Sequence, residues 1–174
     1  MPAGMAERYR RWFEYEKDSH AKVLAALQAA PEQAWATREF RKAVGLAGHI
    51  VASRIIWLFR LGGVKEAPAS FFPRGRGLRR LTRSLEQMHE AWTLYLADIT
   101  EKEIARSFEY LSGEGIRYRN RVEDILTQLY GHSLYHRGQI AMLLRAAGAE
   151  PAVTDFVFWT RTPIASRKRR SVGR

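Results

Sequence analysis

The stretch Leu129-Tyr130-Gly131-His132-Ser133-Leu134-Tyr135-His136-Arg137-Gly138-Gln139-Ile140 decides how the chain is read. At about 100° per residue it is one side of a helix, and Ile125, Leu129, His132, His136, Gln139 and Leu143 share a narrow sector of it. Two imidazoles therefore sit in the middle of an inward-facing apolar stripe. Side chains four apart on a helix have Cβ atoms roughly 5–6 Å from each other, within reach of one ion bonded at about 2.0–2.1 Å per nitrogen. A His-x-x-x-His pair also recurs by chance, so the rest of the chain must supply a third ligand and a reason for a cavity.

Working outward, the 174 residues suit one domain with a sizeable core. There is no cysteine, which excludes disulfides, thiolate nucleophiles and cysteine-ligated zinc or iron–sulfur sites. A metal here must be held by His, Asp or Glu, a donor set that admits zinc, nickel, iron, manganese or cobalt without choosing among them. The opening residues lack the apolar core of a signal peptide, and no apolar run reads as a membrane span, so a cytoplasmic location is expected. The net charge is +11, and five of those charges lie in a tail without acidic residues: Arg167, Lys168, Arg169, Arg170 and Arg174. A second basic cluster, Arg74, Arg76, Arg79, Arg80 and Arg83, falls in and after a Gly-containing linker. Such runs neutralise phosphates without reading sequence. No stacking platform or recognition helix accompanies them, which favours a solvated tail and loop over a nucleic-acid interface.

In chain order, a first helix is expected over about Ala6 to Ala29, its stripe interrupted by Glu16 and His20 one turn apart. These two either pair with each other inside the protein or face a cavity. A second helix, roughly Arg41 to Leu61, is apolar over most of its surface and should be buried on more than one side, within the domain and against a second subunit. Its one ionisable interior candidate is His49, with small neighbours that leave room around the ring. Gly62-Gly63 ends it. Pro68, Pro73, Gly75 and Gly77 make the segment from Val64 to about Arg80 a long connection, which lets the second and third helices run parallel. The third helix spans about Leu81 to Thr100, with His89 at the edge of its stripe. A turn-rich passage from Phe108, with room for a short extended or helical piece, precedes the fourth helix, about Arg121 to Ala147. Gly131 and Gly138 lie on the flank of the histidine face, where close approach of a neighbouring backbone would explain them. The fold class is all-α: a four-helix bundle over residues 5–160 with a long crossover between helices 2 and 3. A basic tail over 161–174 follows, disordered from Pro163 onward.

Singly, each histidine is an ordinary structural residue, and His20 and His89 are left as satisfied or partly exposed. His132 and His136 differ, because burying two imidazoles one turn apart is costly unless each nitrogen finds a partner. With His49 added, three neutral imidazoles leave an ion one or more open positions, the arrangement of a catalytic rather than a closed structural site.

The chain resembles the DinB/YfiT-like family of bacterial metalloproteins. The marks are His132-Ser-Leu-Tyr-His136-Arg137-Gly138-Gln139-Ile140, then Leu143-Leu144-Arg145-Ala-Ala-Gly148, Pro151 and Thr154-Asp155. Ala47-Gly48-His49-Ile50, with Ile56-Trp57-Leu58 and Leu61-Gly62, is similar to that family's second helix and its first metal ligand. Tyr15 through Leu27 resembles the opening helix, although Glu16 and His20 stand where asparagines are more usual. The resemblance covers about Met5 to Trp159. It implies a four-helix bundle with a long crossover, commonly a homodimer, and a divalent ion (zinc, nickel or iron) on His49, His132 and His136. It further implies metal-dependent thiol transferase or isomerase chemistry. The family name reflects DNA-damage-inducible expression of some members, not DNA binding.

The expected function is thus a divalent-metal-binding protein and metal-dependent enzyme. The ion would lower the pKa of a bound water, as in hydrolysis, or of a small-molecule thiol that attacks an electrophilic substrate. Gln139, almost above His132, orients a ligand or supports the shell. Glu16 and His20 are the candidates for acid–base help. Arg137 points away from the sector and reads as an ion-pair or interface residue, and no acidic residue near His49 or His136 offers itself as a general base. The alternative is a non-catalytic basic module that contacts nucleic acid through the arginine-rich linker and tail.

Overall fold

Tyr9, Phe13, Glu16, His20, Val23 and Leu27 are spaced alternately four and three residues apart, and all six are buried. That is the stripe a helix presents to a core, and it defines α1, Met5–Gln28, in a computed structural model that describes residues 4–72 and 77–164. The same logic gives α3, Arg38–Arg60, started by Thr37, whose hydroxyl accepts from the Phe40 amide at 3.1 Å. It also gives α4, Leu78–Ala97, which buries Leu81, Leu85, Met88, Trp92 and Leu96, and α6, Val122–Ala146. These four long helices begin and end within three residues of the expected bounds. Short helices fill the connections: α2, Glu32–Trp35, α5, Glu101–Ala105, and α7, Phe156–Thr160. The turn-rich passage folds as an antiparallel hairpin of β1, Ser107–Leu111, and β2, Arg117–Arg121, with Tyr110 opposite Tyr118 and Phe108 opposite Asn120. The protein is thus predominantly helical, as expected, with one small two-stranded sheet.

α1 packs against α4 and α6, and α3 against the same two. Directions follow from cross-helix contacts. Tyr9 meets Thr127 and Tyr15 meets Arg137, so α1 and α6 run the same way. Arg10 reaches the Leu96 carbonyl while Gln28 reaches Thr82, so α1 and α4 run oppositely. Trp92 donates to the Arg54 carbonyl, and Ile50 shares a small cavity with Leu81 and Leu85, so α3 and α4 run in parallel. Parallel neighbours in sequence require a long connection, here from Leu61 to Gly77. Gly62 (φ 82°) and Gly148 (φ 77°) stop α3 and α6 with backbone angles that side chains avoid.

Three expectations change. Arg54 is as buried as His49, so α3 carries two ionisable interior residues; the cation is tolerated because Glu16 of α1 pairs with it and Phe13 and Trp92 flank its guanidinium. Glu16 and His20 consequently do not pair with each other. Gly131 and Gly138 have no neighbour within 4 Å of where a Cβ would stand, so close backbone approach does not explain them. Finally, α3 has the length and composition of a membrane span, but more than half of its most apolar stretch is buried in the protein, as in a core helix. Arg74, Arg76 and the tail from Ala165 onward lie outside the described residues, and with them the expected disorder there.

Both α6 glycines face open space in a helix interior, where alanine is preferred by about 1 kcal/mol. Gly131→Ala and Gly138→Ala should each raise the urea midpoint by a corresponding amount. A lowered midpoint in either variant would contradict the open surroundings described.

Candidate metal centre

α3 and α6 cross where His49 faces His132 and His136. One nitrogen from each of the three rings lies within 4.8 Å of the others. His132 Nε2 is 3.2 Å from His49 Nε2 and 3.0 Å from His136 Nε2. His49 is buried, and the two α6 rings are half-buried. The opposite edges are held by acceptors. The Phe71 carbonyl accepts from His49 Nδ1 at 2.7 Å, and Gln139 Oε1 accepts from His136 Nδ1 at 2.7 Å. An acceptor on Nδ1 fixes the proton there and leaves the Nε2 lone pair pointing inward. Phe72 stacks on His49 at 4.1 Å with 1° between the planes, which fixes the tilt of that ring.

Burial pushes His132 down to about 4, with His136 and His49 adding to the effect, and burial also lowers His49. Both are therefore neutral at physiological pH and available as ligands. Three inward lone pairs, with at most one Nε2 proton (that of His132) to share among them, are left short of donors. A divalent ion bonded to each at about 2.0–2.1 Å in a tetrahedral shell sets nitrogens roughly 3.3 Å apart, close to the spacings seen. The donor set fits such an ion: three converging imidazoles, two held from behind by hydrogen-bond acceptors.

Beside the triad is a cavity of about 480 Å³ into which His49 and His132 face. Its far wall is the hairpin, through Tyr110 and Asn120, which bond to each other at 3.1 Å. Ser53 and Trp57 come from α3, and Asp124 and Gln128 from α6. Asp124 adds a carboxylate to the cavity wall two helical turns from His132, although one of its oxygens already accepts the Arg121 amide at 2.9 Å and starts α6. The signal was present: Asp124, Gln128, His132 and His136 follow at intervals of four, one continuous polar stripe. The hairpin residues carried no comparable signal.

The remaining expected site residues lie apart from the triad. Gln139 supports His136, as described. Glu16 pairs with Arg54, deep between α1 and α3. His20 Nδ1 bonds His89 Nε2 at 3.1 Å. Among the described residues neither Glu16 nor His20 bonds one of the three imidazoles. Arg137, one residue past His136, is buried and donates to the Tyr15 hydroxyl at 2.7 Å. Tyr15 in turn donates to the Thr154 carbonyl and touches Phe156 and Trp159, so the aromatic segment after α6 packs against the middle of α1.

Burial, with Arg54 nearby, lowers His20 well below its ordinary value and His89 to about 4; Lys17 also bears on His89, and Arg137 on His20. Unfolded histidines protonate near 6.5, so the unfolded chain binds more protons between about 6.5 and 4. The stability held by this pair is complete above pH 6.5 and is lost as pH falls toward 4. In metal-free protein, His89→Gln should lessen the loss of unfolding free energy between pH 7.5 and 4.5 by roughly 1–3 kcal/mol. Parallel pH profiles for the variant and the parent would contradict this.

No curated protein and no solved structure matches the chain in comparison. Residues 3–167, nearly the whole chain and all the elements that build the three-histidine centre, match a family model, and the protein belongs to the DinB family.

Proposed function

We propose that the protein is a metal-dependent enzyme that binds one divalent ion on His49, His132 and His136 and uses it with a small thiol to act on an electrophile. The observation that carries this is the convergence of three Nε2 atoms, two of whose rings are held from behind, beside a cavity that His49 and His132 line. Bound there, the ion supplies a Lewis acid that lowers the pKa of a thiol or water. The chain's own residues do the rest. Trp57 and Tyr110 give the cavity aromatic walls, and Ser53, Asn120 and Gln128 offer hydrogen bonds to a polar ligand. The free acceptor capacity of Asp124 suits a proton leaving such a ligand at the rim. Gln139 holds the His136 tautomer. Glu16 acts through Arg54, and His20 through His89, as groups that order the interior behind the centre rather than meeting substrate.

We read the four long helices with their long α3–α4 connection as the crossover bundle that the family resemblance implies. The nucleic-acid alternative gains no support from the hairpin end, where Arg117 and Arg119 pair with Glu109, Arg121 with Glu123 and Arg106 with Glu103.

Full-length protein purified without a His-tag should carry about one divalent ion per chain. His49→Ala, His132→Ala and His136→Ala should each abolish tight binding, while Gln139→Leu weakens it about 10–100-fold with the ion still bound at saturation. Metal content unmoved by all three histidine variants, or thiol-dependent turnover that survives metal removal, would overturn the reading.

A further inference from the structure

A second concavity, about 1300 Å³, lies between the N-terminal half of α3 and the C-terminal half of α6; it is separate from the cavity lined by His49 and His132 but is bordered by Phe72 and Gln139, which touch His49 and His136. Its floor and walls are Trp35, Phe40, Val44, Leu46 and Met142. Trp35 and Met142 are exposed at 47 % and 69 %. An apolar recess of this size, uncovered by any of the described residues, marks a ligand or partner site. Four cations, Arg38, Arg41, Lys42 and Arg79, border it, and among the described residues no carboxylate does.

We propose that this groove binds a small amphiphilic anion, with an alkyl or aryl body laid along the apolar floor and a carboxylate- or sulfonate-type head at the cationic rim. The sign of the rim selects this occupant. A second copy of the chain docked groove to groove would bring like charges together around the two-fold axis. The chain's own basic end, Arg167 to Arg170, is repelled by the same rim. A membrane surface is flat, whereas this site is a concavity that reaches down to the buried Phe40. The proposal does not depend on a bound metal. Gln139 nevertheless lines the groove while holding His136, so the site adjoins the support of the histidine centre.

Gly45 gives a clean test. It lines the groove within α3, at ordinary helical angles, and nothing lies within 4 Å of where its Cβ would be. Gly45→Leu therefore places a bulky side chain in the groove from a position with room for its Cβ, with a gain in helix propensity. Full-length protein titrated calorimetrically with decanoate should bind one equivalent, about tenfold or more tighter than decyltrimethylammonium, which shares its tail. Gly45→Leu should abolish decanoate binding with helicity and bound metal unchanged, and Arg41→Glu with Lys42→Glu should invert the preference between the two amphiphiles. Equal binding of both amphiphiles, or decanoate binding that ignores Gly45→Leu, would overturn the proposal. So would a dimer in sedimentation velocity that excludes decanoate and is broken by Gly45→Leu, because the groove would then be a contact between copies.

Discussion

The structure turns on a problem of lone pairs. His49 and His136 give their Nδ1 protons outward, to the Phe71 carbonyl and to Gln139, so their inner nitrogens meet His132 without enough hydrogens to go round. Desolvation keeps His132 and His49 from relieving the shortage by taking up protons at neutral pH. A divalent cation would resolve it for all three rings at once, and its binding free energy would then become part of the stability of the α3–α6 crossing. The features around the crossing serve this geometry: Phe72 flat against His49, and a four-residue polar stripe that carries α6 from the cavity rim to the ligands.

The other buried charges lie one layer away and follow a different rule. Glu16 and Arg54 face each other between aromatic rings, where either alone would be strongly destabilising. His20 and His89 satisfy each other and are held neutral by burial and by Arg54. Arg54 also bears on His132, so the cation that anchors α1 to α3 helps keep a ligand deprotonated. Arg137 ties α6 to Tyr15, which is fixed in turn by the chain after α6. The polar interior thus links the centre to three helices and to the C-terminal aromatic segment.

Much of this was legible in the residues. Periodicity located α1, α4 and α6 and the length of its apolar run located α3, which is buried all round over Gly48 to Arg54, and the proline- and glycine-containing linker leaves the length that parallel α3 and α4 need. The clustering of His49, His132 and His136 was legible because imidazoles on apolar faces stand out. Pairing partners were less so. Arg54 was hidden in an apolar run, where only the need to neutralise Glu16 betrays it. The Phe71 carbonyl is a backbone group that any residue supplies, and which carbonyl reaches His49 is set by the path of the linker. The hairpin wall depends on tertiary placement of a short turn-rich segment. Gly131 and Gly138 show the opposite error, a tertiary reason assigned to residues that face open space.

X-ray absorption at the edge of the ion bound by full-length protein tests the central claim most directly, because it counts imidazoles without reference to activity. Three imidazole ligands at about 2.0–2.1 Å, with any remaining positions filled by lighter exchangeable donors, is the predicted first shell. A shell built of carboxylate oxygens, or with one imidazole or none, would contradict the assignment of His49, His132 and His136.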